Sequence, residues 1–93
     1  MMRKTTVHVL KLNSNFATAV LSGIKSFEIR KNDRGFQTGD RILFSVVDDN
    51  GRDVGHPLNN IPFEITYILS GWGIENGYVG LAIRKTKQSR KRG

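Results

Sequence analysis

Residues 13–31 read NSNFATAVLSGIKSFEIRK, and the hydrophobic period changes halfway along them. Up to Ser22, Phe16, Ala17, Val20 and Leu21 fall on one face at helical spacing. Asn13 or Ser14 can cap the start by accepting a backbone N–H bond. Gly23 stands where a helix C-terminus prefers a left-handed residue. From Lys25 to Lys31 the period is two: Phe27 and Ile29 point one way, Ser26, Glu28 and Arg30 the other. The stretch predicts a short helix running into a half-buried strand, with Glu28 and Arg30 on its polar outer face. So short a helix needs a sheet to pack on.

Strand patterns surround this unit. Thr5–Leu12 is β-branched with a Val7/Val9 alternation, which places His8 on the opposite face. Arg41–Asp48 is mostly apolar, and Asp49-Asn50-Gly51 signals a type I′ hairpin turn. GHPLNN, residues 55–60, reads as a loop, and Pro62 suits the first position of a strand. Phe63–Leu69 alternates again, with Phe63, Ile65, Tyr67 and Leu69 against Glu64, Thr66 and Ile68. After the Gly-rich turn SGWGIENG, Tyr78–Arg84 is the last strand. One short N-terminal helix and five or six strands predict a mainly β, α+β domain. Small chains of this kind remove free edges by closing into a barrel. A split α+β sandwich is the alternative.

The chain has 93 residues, enough for one domain with one modest core. It has no cysteine, which removes disulfides and thiolate metal sites and fits a reducing cytoplasm. His8 and His56 stand far apart without ligand spacing, so neither a metal nor a cofactor is expected. No segment approaches the apolar length of a membrane span, and a cytoplasmic, monomeric protein is expected. The formal charge of +7 is unevenly spread. Arg84, Lys85, Lys87, Arg90, Lys91 and Arg92 crowd the last ten residues, leaving nine cations and eight acids in residues 1–83. The expected division is a folded body over 1–85 and a basic, disordered tail over 86–93. In that tail Lys87, Arg90, Lys91 and Arg92 are candidate phosphate contacts, or else solubilising residues.

Gly23-Ile24-Lys25-Ser26-Phe27-Glu28-Ile29-Arg30 has the form GxKxxExR. Glu28 and Arg30 share a strand face, and Lys25 can swing to the same side. A carboxylate held between two cations would fix Arg30 in orientation. Its leftover donors would then face a phosphate or a base edge. A structural ion-pair cluster pinning helix to strand is the other reading of the same residues.

This motif, with HVLKL (8–12), the segment running from Asn15 to Asp40, ITYILSG (65–71) and GYVGLAI (77–83), resembles the ASCH domains of the PUA-like superfold. Within them the chain is similar to a small family of bacterial and phage domains, DUF3850-like. The resemblance implies a PUA-like five- or six-stranded β-barrel with a cleft at the motif that takes RNA or a nucleotide-like ligand. It puts Lys25, Glu28 and Arg30 at that cleft and makes His8 a possible member; Lys31 and Arg34 extend the polar face into the following loop as further candidate contacts. It also implies an alternative, since some ASCH-like proteins are hydrolases of RNA or of N4-acetylcytidine. The amidohydrolase group is similar at Gly23, Lys25 and Arg30. It has a threonine nucleophile where Glu28 stands here, and a further catalytic glutamate on a helical insertion that this sequence lacks. Lys25 would be the catalytic residue carried over, with Glu28 beside it.

Smaller signals are open to two readings. Asn32 and Asp33 are ordinary turn formers. Gly39-Asp40 reads as a turn before a strand. Trp72 and Tyr78 either cap the barrel or stack on a base. The sequence as a whole points to a nucleic-acid-binding module, RNA being the favoured partner.

Overall fold

The computed structural model describes residues 4–86. Strand β1 (Val7–Asn13) runs directly into helix α1 (Ser14–Ser22), which is followed by β2 (Phe27–Lys31) and β3 (Arg41–Val47). A short 3₁₀ helix (Pro57–Asn60) precedes β4 (Phe63–Leu69) and β5 (Tyr78–Lys85). Asn13 caps α1, its side chain accepting from the Asn15 amide at 2.8 Å. Gly23 closes it in the left-handed region at φ 87°, returning its N–H to Val20. Both ends are therefore set by local chemistry.

The five strands form one sheet in the order β1-β3-β4-β5-β2. β1 and β3 are parallel and the other neighbours antiparallel. The buried core takes Leu10 and Leu12 from β1, Ala17 and Val20 from α1, and Ile42, Phe44 and Val46 from β3. Phe36 from the β2–β3 connection, Leu58 of the 3₁₀ helix and the inward residues of β4 and β5 complete it. Among the described residues, no helix is long and apolar enough to cross a membrane.

The expected closed barrel is overturned. The sheet is an open half-barrel that turns through 263° and leaves its edges, β1 and β2, 9 Å apart. Hydrogen-bonded strands lie about 4.8 Å apart, so a 9 Å seam is too wide for a ladder. Side chains bridge it instead. Arg30 Nη2 donates to the carbonyl of Lys11 at 2.8 Å, and Arg34 Nη1 to that of Val9 at 3.0 Å. These carbonyls face the edge of β1 that has no strand beside it. The two arginines thus occupy acceptors that a foreign strand would need.

Four local expectations are corrected. The β2 alternation is present but its faces are exchanged: Glu28 is 4% exposed, whereas Phe27 and Ile29 are half-exposed on the convex side. An irregularity in the β4–β5 register between Ile65 and Tyr67 shifts the pattern of β4. Phe63, Ile65 and Ile68 therefore face the core, while Tyr67 and Leu69 face out. In the hairpin after β3, Gly51 alone has positive φ (81°) and donates to Asp48 O, which is not the type I′ turn. Helix α1 also differs from its pattern: Ala17 and Val20 are buried, but Phe16 stands half-exposed.

Candidate functional site

The exchange of faces on β2 builds the site. Glu28 enters the half-barrel opposite Leu81 of β5, and Arg30 opposite Val79. A buried carboxylate is tolerated only when its oxygens are satisfied, and here each has a cation. Lys25 Nζ donates to Oε2 at 2.5 Å, and Arg30 Nε to Oε1 at 3.1 Å. Lys25 also donates to the Phe27 carbonyl at 2.8 Å. Its Nζ lies 4.8 Å from the centre of the Phe27 ring and 5.6 Å from that of Phe16. The backbone bond from Lys25 N–H to Ala19 O at 2.9 Å fixes the start of this turn against α1.

The trio lines a cleft of about 400 Å³ between the C-terminal end of β1, the start of α1 and β2. Phe16 and Phe27 contribute rings to it, and Lys11 and Lys31 add further cations at its edges. Arg30 has given two of its donors to Glu28 and Lys11 O, and the rest remain for a ligand. The chemistry available is recognition of an anion beside an aromatic surface. Lys25 is thus a donor in two directions, to Glu28 and to the Phe27 carbonyl. The described residues carry no helix besides α1 and the 3₁₀ turn to supply a further catalytic carboxylate. They contain no group of three or more His, Cys, Asp or Glu residues that could hold a metal ion.

The sequence-predicted residues divide in space. Lys25, Glu28, Arg30 and Lys31 come together at the cleft. Arg34 lies outside the cleft, at the seam, lining a smaller hollow of about 110 Å³ with Arg30, Lys31, Asp33 and Phe36. It is paired with Asp33 at 3.7 Å. His8 lies outside the cleft, buried against Phe36 with ring centres 4.7 Å apart. Its Nε2 is 2.9 Å from Asp40 Oδ2. Lys87, Arg90, Lys91 and Arg92 lie outside the described residues.

Two features escape the sequence. Asp40, read as a turn residue, is fully buried and also accepts from the amides of Thr6 and Gln37. No local pattern marks it, because its partners come from both sides of β2 in the chain. Phe16 escapes because a helical apolar stripe does not say where the stripe leaves the core.

A search among curated proteins finds no match to the chain. The family described as a domain of unknown function, DUF3850, matches residues 7–83. Those residues run from the start of β1 into β5 and include the whole cleft, and the chain belongs to that family.

Proposed function

We propose that the protein is a nucleic-acid-binding module, with RNA as the favoured partner, that holds a nucleotide in the cleft between α1 and β2. One observation carries the reading: the half-exposed rings of Phe16 and Phe27 stand at a cleft where Lys11, Lys25, Arg30 and Lys31 outnumber Glu28. An aromatic face beside cations suits a base and its phosphate. Kinship with the ASCH domains is part of the same reading, and it rests on GxKxxExR at 23–30 and the order of the segments around it.

The test is chemical-shift mapping with uridine monophosphate, short RNA and DNA oligonucleotides, and N4-acetylcytidine. The amides of Phe16, Lys25 and Phe27 should move together with a nucleotide ligand. Phe16→Ala should weaken binding by about 1–3 kcal/mol, the worth of a base stacked on an aromatic ring. Shifts scattered away from the cleft, or full affinity in Phe16→Ala, would overturn the assignment.

A further inference from the structure

The convex side of the sheet carries a second set of exposed rings, and the strand register puts them in order. Phe27, Ala82 and Tyr67 form one row across β2, β5 and β4. Ile29, Gly80 and Leu69 form the next, and Lys31 beside Tyr78 the one after. Tyr67 is 64% exposed and Phe27 51%. Ala82 and Gly80 keep the middle strand low, so the flanking side chains stand above it. A methyl group at Gly80 would meet Ile29 and Ile74 at 3.6 Å, so those side chains cover the glycine. Trp72, in the β4–β5 loop, is 91% exposed and holds φ 53°, a conformation that is rare outside glycine.

Cations bracket this apolar band. Beyond the Phe27 row, Arg41, Glu64 and Arg84 are paired across β3, β4 and β5. Glu64 is held by both arginines, at 3.2 Å from Arg84 and 4.0 Å from Arg41. They border a hollow of about 440 Å³ that Lys85 also lines. Lys31 stands at the opposite end. Rings between cations on a sheet match a single strand, whose unpaired bases stack while its phosphates reach the charges. A duplex would offer no base face. The body as a whole is nearly neutral, but the charges that bracket this band, Arg41, Arg84, Lys85 and Lys31 against Glu64, favour a polyanion over a protein partner.

We propose that the outer face of β2, β5 and β4 is a stacking platform for single-stranded nucleic acid, entered from the cleft by way of Phe27. The proposal rests on the cleft reading above, because Phe27 belongs to both surfaces. One nucleotide sits in the cleft, and its neighbours in the strand stack on Tyr67 and Trp72.

The chain has a single tryptophan, in the loop that joins β4 to β5, so its fluorescence reports on that end of the sheet. The full chain is titrated with uridine monophosphate and with oligouridylates of four and twelve nucleotides. The twelve-mer should bind tightest and change Trp72 emission, while the monophosphate binds without changing it. Tyr67→Ala should weaken the twelve-mer about tenfold, the order expected for a lost stacking ring, and leave the monophosphate unaffected. Tyr67→Phe should restore the affinity. Trp72 emission in the unaltered chain tests the platform even if Tyr67→Ala fails to fold. Equal affinities for the monophosphate and the twelve-mer, with no effect of Tyr67→Ala, overturn the platform and leave the cleft reading standing. Twelve-mer binding that depends on Tyr67 but not on Phe16 supports the platform and removes the cleft. Absence of binding by every probe removes both. Self-association in sedimentation that Tyr67→Ala abolishes and the twelve-mer does not reverse makes this face a contact between copies, and overturns the proposal.

Discussion

Arg34 Nη1 donates to the carbonyl oxygen of Val9 at 3.0 Å, joining the segment after β2 to the far edge of the sheet. With the bond from Arg30 to Lys11 O, it spans a seam that no strand fills. The openness of the sheet and the use of these arginines are therefore one fact. Donors that the sequence offers to a ligand are partly spent on structure.

Arg34→Ala should cost about 1 kcal/mol, because its bond is exposed and water replaces part of it. The more specific expectation is local. β1 amides should lose hydrogen-exchange protection before those of β3–β5, since the seam edge of β1 is what Arg34 holds. Uniform loss of protection across the sheet would mean that Arg34 acts through something other than the seam.

Asp40→Ala should be the most damaging single change among the polar residues, at about 3–5 kcal/mol. It leaves the His8 ring and the amides of Thr6 and Gln37 facing a site without their acceptor. Chemical denaturation measures this. A loss under 1 kcal/mol would show that the buried cluster can rearrange around the gap.

Glu28→Gln keeps the shape of the side chain and removes its charge. The amide offers one acceptor where the carboxylate offers two, so one cation keeps a weaker bond and the other loses its partner, and stability should fall by about 1–3 kcal/mol. Affinity for uridine monophosphate should fall as well, because Lys25 and Arg30 are no longer held in place. Lower stability with unchanged affinity would make the trio purely structural.

Incubation of the protein with N4-acetylcytidine or with single-stranded RNA should leave both intact, as expected of a binding module. Turnover by the unaltered chain that Lys25→Ala abolishes would replace the binding reading with a hydrolase.

Cutting the chain after Thr86 spares the bonds from Thr86 to Pro62 O and removes Lys87, Arg90, Lys91 and Arg92. Each phosphate neutralised on a single strand adds about −0.7 to the slope of log K against log salt. A salt titration should therefore flatten by up to about 3 units, with base preference retained. An identical slope for both chains would assign the tail to solubility.

The sequence by itself determined the helix and its caps, the approximate strand positions, the alternation on β2 and the location of the basic tail. Each of these is written in residues no more than a few positions apart, where hydrogen-bonding offsets and side-chain periods act. Only the tertiary structure decided which side of β2 is inside, because a period of two separates the faces without naming the core. Glu28 could turn inward once Lys25 and Arg30 met both its oxygens, and that left Phe27 and Ile29 on the convex face. The shift between Ile65 and Tyr67 likewise depends on pairing with β5 and moves Tyr67 outward. The open seam depends on the 9 Å between β1 and β2, two strands adjacent in the chain but at opposite edges of the sheet. Distances of that kind are set by the packing of all five strands at once, and no local run of residues encodes them.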